Sequence, residues 1–127
     1  MSRPPRPTDA ELSILRVLWA RGPSTVRQVL DALVEERPTG YTTVLKMLQI
    51  MTDKGLVLRD ESDRTHVYAA SHAQTETQGQ LVDDLLERAF GGSAMELVQR
   101  ALSGRKATPA ELAQIRRLLD EHEGGTR

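Results

Sequence analysis

Cysteine is absent from all 127 residues, which excludes disulfides, thiolate metal sites and a thiol redox switch. Aromatic residues are scarce at 3%, so the core must be built from Leu, Val, Ile, Met and Ala, a palette that suits packed helices better than a β-sandwich. No apolar run reaches the roughly 18 residues of a membrane span, and no charged-then-apolar leader is present, so the expected location is the cytoplasm with no membrane insertion. An excess of one charge is missing too. The formal charge is −1, with 10 Lys and Arg against 9 Asp and Glu up to His72 and 7 against 9 beyond it. Binding to a polyanion must therefore rest on a few placed cations and helix N-termini in the first half, with strength drawn from two copies acting together. Catalytic groupings are also lacking. His66, His72 and His122 have no metal-ligand spacing, no glycine loop cradles phosphate, and the pairs Glu35-Glu36 and Asp83-Asp84 fall on solvated helix faces. No enzyme activity, cofactor or metal is expected.

What is present is a helix that runs into a hairpin. In TTVLKMLQIMTDKGLV, Thr42 to Val57, helical spacing puts Val44, Met47, Leu48 and Met51 on one side and Thr42, Lys46, Gln49 and Asp53 on the other. Gly55 is a stop signal. Leu56-Val57-Leu58 and Thr65-His66-Val67-Tyr68 then form two short strand-like runs about a charged turn, Asp60 to Arg64. Helix, strand, polar loop and returning strand is the order of a DNA-recognition helix with its wing; the alternative is an amphipathic helix packed on a hairpin without nucleic acid.

Proline and glycine punctuate the rest. Residues 1–7 (MSRPPRP) read as a flexible arm. Thr8 or Asp9 caps a first helix with a stripe of Leu12, Leu15, Leu18 and Trp19, ended by Gly22-Pro23, and Ser24 or Thr25 caps a second with Val26, Val29, Leu30, Leu33 and Val34, which stops near Arg37-Pro38. With the third helix these make a helix-turn-helix core. The second half carries no strand signal. One helix runs from Gln74 to Phe90, broken by Gly91-Gly92; Ser93 restarts a shorter one; Thr108-Pro109-Ala110-Glu111 opens the last. Three helices in about 50 residues bury little apolar surface by themselves, so a two-fold homodimer is expected, the alternative being a bundle folded on the first domain. The expected fold is mainly α, an N-terminal winged helix-turn-helix with a small β-wing followed by a three-helix dimerisation domain. Its divisions are the arm at 1–7, the DNA-binding domain at 8–71, the helical domain at 72–123 and a tail at 124–127. Interface candidates are Leu81, Leu85, Phe90, Leu97, Val98, Leu112, Ile115 and Leu118.

ELSILRVLW (Glu11 to Trp19), TTVLKMLQIMTDKGLV, DRTHVYAA with Arg64 and Tyr68, and LLERAFGGSAMELV (Leu85 to Val98) stand in an order and spacing that resemble the penicillinase-repressor family of the BlaI, MecI and CopY type. The resemblance covers nearly the whole chain and implies repression of transcription from inverted-repeat operators in double-stranded DNA. It carries base reading onto Thr42, Thr43 and Lys46. Threonine offers a hydroxyl and a methyl group in the major groove, lysine reaches guanine acceptors, and Gln49 one turn on can pair with adenine. Tyr41, Ser24 and Thr25, at helix N-termini, and Arg64, at the wing tip, are candidates for phosphate, with helix capping the simpler role for Ser24 and Thr25.

Two departures bear on how the DNA is released. Copper-responsive members carry a cysteine cluster near the C-terminus, and this chain has none. Others are cut by a membrane sensor-protease system at an Asn-Phe bond, where this chain has Arg100-Ala101. Gly91-Gly92 and Ser103 to Ala107 flank that bond as flexible breaks, so cleavage there is one route of release; a partner, or a ligand as in MarR-like winged-helix regulators, is the other.

Overall fold

The computed structural model describes residues 5–104 and 107–125. The arm expected over 1–7 and the loop expected before Ala107 fall partly outside these residues. The chain divides into two compact units, 1–83 and 84–127.

In the first unit, α1 (Asp9–Arg21) opens on a reciprocal cap: the Glu11 amide donates to Thr8 Oγ1 at 3.2 Å, and the Thr8 amide donates to Glu11 Oε1 at 2.9 Å. It ends at Gly22, whose φ of 89° suits glycine. A two-residue strand β1 (Ser24–Thr25) follows, then α2 (Val26–Leu33), whose N-cap is Thr25. Helix α3 (Tyr41–Lys54) stops at left-handed Gly55. Strands β2 (Val57–Asp60) and β3 (Val67–Ala70) complete an antiparallel sheet of order β1-β3-β2, with Tyr68 opposite both Ser24 and Arg59. Three helices with such a sheet and hairpin form a winged helix. The core gathers Ile14, Leu15, Leu18, Val29, Leu33, Val44, Leu48, Met51, Val57 and Tyr68, among others.

Several expectations shift. Ile14, not Leu12, joins Leu15 and Leu18 in the buried stripe of α1, and Trp19 is only half-buried. Its indole N–H donates to the His72 carbonyl at 3.0 Å, and a ring that must reach such a partner sits at the core's edge. Val34, expected in the stripe of α2, is the exposed C-cap. The wing strands begin later than the apolar runs, because Leu56 and Val57 are both buried while Leu58 faces out. The turn itself starts where Ser62 donates backbone and hydroxyl bonds to Asp60 Oδ1, at 2.9 and 2.7 Å. These two bonds hold the Asp60 carboxyl below its ordinary pKa, the hydroxyl contributing more.

Helix α4 (Gln74–Phe90) carries the division between the units, which falls after Asp83, whereas the sequence pattern put it at 71/72. The start of α4 falls in the first unit, and Thr77 on it is buried. In the second unit, Gly91 and Gly92, both at positive φ, separate α4 from α5 (Ala94–Gly104), and α6 (Pro109–Gly125) runs through Gly124 and Gly125, where a tail was expected. Ser93 and Thr108 cap these helices through the Glu96 and Glu111 amides. Among the described residues, the buried apolar ones all lie between Ile14 and Tyr68. The second unit thus has no core of its own among the described residues. Leu85, Met95, Val98, Leu102, Leu118 and Leu119 are exposed.

One charged pair ties α1 to α3. Lys54 Nζ lies 2.7 Å from Glu11 Oε1 and 3.0 Å from Oε2, with Glu11 only 5% exposed. Burial pushes the Glu11 carboxyl up, but the Lys54 hydrogen bond and charge and the Thr8 amide and hydroxyl together outweigh it and hold it below the ordinary 4.5. A carboxyl depressed in the folded state stabilises fully above its unfolded pKa, and the contribution disappears as pH falls through the lower folded value. Glu11→Gln should therefore cost about 1–2 kcal/mol at pH 7 in urea denaturation, since a buried charge-assisted bond is lost while partly exposed Lys54 can turn to water. The gap between variant and parent should close once the medium is acidic enough to protonate Glu11 in the folded parent; a gap unchanged by acid would contradict this account.

Candidate nucleic-acid interface

The sequence of α3 allows one orientation only. Val44, Leu48 and Met51 are buried, and the 3.6-residue period then turns Thr42, Thr43, Lys46, Gln49 and Asp53 outward. All of these are exposed, and the four sequence-predicted reading residues share one face. Gly40 at the N-cap offers no side chain to the first-turn amides, so the positive end of the helix stays available to an anion.

The first turn of α2 stands beside that end. Tyr41 is 45% exposed, and the Arg27 guanidinium carbon lies 5.4 Å from its ring centroid, a cation–π arrangement. Thr25 commits its hydroxyl to the Gln28 amide at 3.2 Å, the capping role. Ser24 does not face the interface: it is 1% exposed, and its hydroxyl donates to the Gly22 carbonyl at 2.9 Å. The short strand β1 draws it into the sheet opposite Tyr68, which removes its side chain from reach of a phosphate.

On the wing, the Glu61 carboxylate divides between Arg59 Nε at 3.4 Å and His66 Nε2 at 3.8 Å. Arg59 is raised above its ordinary pKa, first by its bond with Tyr68 and then by the Glu61 charge. Arg64 is exposed at the tip. Between α2, α3 and this wing lies an open cavity of about 250 Å³, to which Arg27, Tyr41, Arg64 and His66 contribute. The sequence reading missed Arg27 because it is adjacent to Tyr41 only in space; its sole local sign is a cation in the first turn of a capped helix.

The residues expected at a dimer seam are spread over α4 to α6. Leu85, Val98 and Leu118 are exposed, and Leu81, Phe90, Leu97, Leu112 and Ile115 are half-buried. Arg100 and Ala101 are exposed but lie inside α5, a segment expected to open locally. Among the described residues no cluster of His, Asp or Glu is placed to hold a metal ion, and no helix is long and apolar enough to cross a membrane.

The profile of the penicillinase repressor family matches residues 7–121. The chain is 37% identical over 127 aligned residues to the transcriptional regulator BlaI of Mycobacterium tuberculosis, covering 98% of this chain and 91% of that protein. It is 22% identical to the penicillinase repressor of Bacillus licheniformis, over 97% of this chain and 96% of that one. Among solved structures, the monomeric form of Bacillus licheniformis BlaI in complex with the blaP half-operator aligns with a TM-score of 0.52 and 24% identity, covering 60% of this chain and 93% of that chain. That likeness establishes the winged-helix fold.

Proposed function

The chain belongs to the penicillinase repressor family, a family of transcriptional repressors, and from that premise we propose that it acts in the cytoplasm as a homodimer on an inverted-repeat operator in double-stranded DNA. The observation that carries the reading is the outward face of α3, where Thr42, Thr43, Lys46 and Gln49 stand exposed behind a helix N-terminus with no side-chain cap. Such a face enters the major groove, while Tyr41 and Arg64 hold the flanking backbone. The Bacillus licheniformis relative is described with a half-operator in its monomeric form, which supports one reading unit of this chain per half-site.

A second copy is the occupant that best suits the coreless unit. Leucines and valines exposed on three successive helices are unfavourable in water, and a two-fold partner offers the same faces in return. For release we propose cleavage at or near Arg100-Ala101 by a membrane sensor-protease partner. Within a single chain both residues are exposed and α5 buries no residue, so only the seam with a second copy would oppose its unwinding.

Selection from a random duplex library tests the function with no operator sequence assumed: it should enrich two symmetric half-sites spaced by about one helical turn or a multiple of it. Enrichment of nothing, or of one unrepeated motif, overturns the dimeric-operator reading. On the enriched duplex, Lys46→Ala and Thr43→Ala should each lose roughly 1–3 kcal/mol while binding to random DNA stays near that of the parent. Arg64→Ala should instead weaken binding to every sequence and lower the salt slope by about one unit for each half-site occupied. Equal losses on enriched and random DNA for Lys46→Ala would remove it from the base readers.

Assembly is checked by sedimentation. Leu85→Asp and Leu118→Asp replace side chains that are 50% and 63% exposed in a single chain, so they should leave the monomer's fold intact. In a dimer seam each would bury an unpaired carboxylate, and both variants should sediment as monomers with weakened operator binding. Dimers that survive both substitutions would place the interface elsewhere. Release is followed by blotting induced cells of the native host: an intact full-length band while target genes are expressed would exclude proteolysis.

A further inference from the structure

The cavity between α2, α3 and the wing has a chemistry that base reading does not use. Arg27 enters from α2, Tyr41 from the N-terminus of α3, Arg64 and His66 from the wing, and the described residues that wall it include no Asp or Glu. In a chain with 18 acidic residues and net charge −1, two guanidiniums and an imidazole facing one acid-free opening of about 250 Å³ make an anion site. The nearby wing acid Glu61 lies within ion-pair distance of Arg59 and His66.

The 5.4 Å stack of Arg27 on Tyr41 adds preorganisation. An exposed arginine ordinarily loses much rotamer freedom when it grips a ligand; one already resting on an aromatic face loses less and presents its planar fork in a set direction. The fork matches two oxygens of a phosphate group.

We propose that this cavity seats one phosphate of the DNA backbone, held by Arg27 from its place on Tyr41 and by Arg64 from the wing side. The proposal rests on the DNA-binding reading above and extends it from the bases to one defined backbone contact. A free phosphate or phosphorylated small molecule would satisfy the same donors, so the test separates the two sources.

The test uses the full chain and the duplex enriched by selection, together with copies in which single phosphates are replaced by uncharged methylphosphonates. Neutralising that phosphate in a single half-site should weaken the parent by more than about tenfold, because the charge-assisted contacts of both Arg27 and Arg64 to it are lost. Arg27→Ala, which removes one contact in each half-site, should weaken binding to the unmodified duplex, keep the same base preference, reduce the salt slope by about two units, and lose less than the parent does at that one methylphosphonate, where only the Arg64 contact remains to be lost. Tyr41→Leu should reproduce part of the loss, and the double variant should fall short of the sum of the two. Unfolding midpoints measured alongside identify a variant that has merely lost its fold. An Arg27→Ala penalty that persists in full at every methylphosphonate position overturns the pocket while leaving DNA binding standing; failure of the parent to enrich any duplex overturns both. Saturable binding of inorganic phosphate without DNA at micromolar concentration, lost in Arg27→Ala, would overturn the backbone assignment in favour of a free anion.

Discussion

Burial of Val44, Leu48 and Met51 in the core is the packing on which the proposed reading surface depends, because a helix that commits one face to a core has no choice about the other. The outward set of Thr42, Thr43, Lys46 and Gln49 follows from that commitment without any contact of its own. The orientation is then pinned at both ends of α3. At the C-terminal end, the buried Glu11 carboxylate holds Lys54, and Gly55 turns the chain directly into β2. At the N-terminal end, Tyr41 rests beside Arg27 of α2. A helix fixed in rotation by its core and in tilt by its ends can present side chains with the precision that base reading demands.

Charge is used locally in this molecule. With net charge −1, long-range attraction to DNA is weak, so selectivity for the polyanion must come from where the cations stand. Arg27, Lys46 and Arg64 sit on the α2, α3 and wing surfaces of one unit, whereas Lys54 is committed to Glu11 and Arg59 lies against Glu61 and Tyr68. The wing acids limit what the tip can do alone. That division of labour separates cations that build the scaffold from cations that remain for a ligand.

Most of the helices were legible because their ends carry local chemistry: Thr8 with Glu11, Thr25 with Gln28, Gly55, and Thr108 ahead of Pro109 all act within four residues. The exposure of the α3 face proposed for reading was legible for the same reason, since periodicity needs only one helix. What escaped depends on neighbours distant in the chain. Strand β1 is two residues long, too short for any alternation, and exists only because β3 pairs with it. That pairing buries Ser24, which in isolation looks like a free cap. Glu11 shows its capping role in the sequence but not its burial, which requires Lys54 from 43 positions away. The division inside α4 is invisible because a continuous helix gives no break after Asp83, where the first unit ends.

The second unit has the opposite energetic character from the first. A winged helix with Tyr68, Ile14, Leu48 and Met51 fully enclosed can offset its ordering entropy from its own core, while α5 and α6 expose the apolar side chains that would do the same for them. A partner covering those faces would supply the missing stability, so under the proposed homodimer the folding of this unit and its association become one equilibrium. Under the proposed homodimer, that equilibrium depends on protein concentration, and two half-site contacts add only while it favours the pair. Modest changes in the covering of α5 and α6 would then move DNA occupancy without altering a single residue on α3. Under that proposal the control of binding lies in the unit that lacks a core, and the proposed reading surface is free to stay rigid.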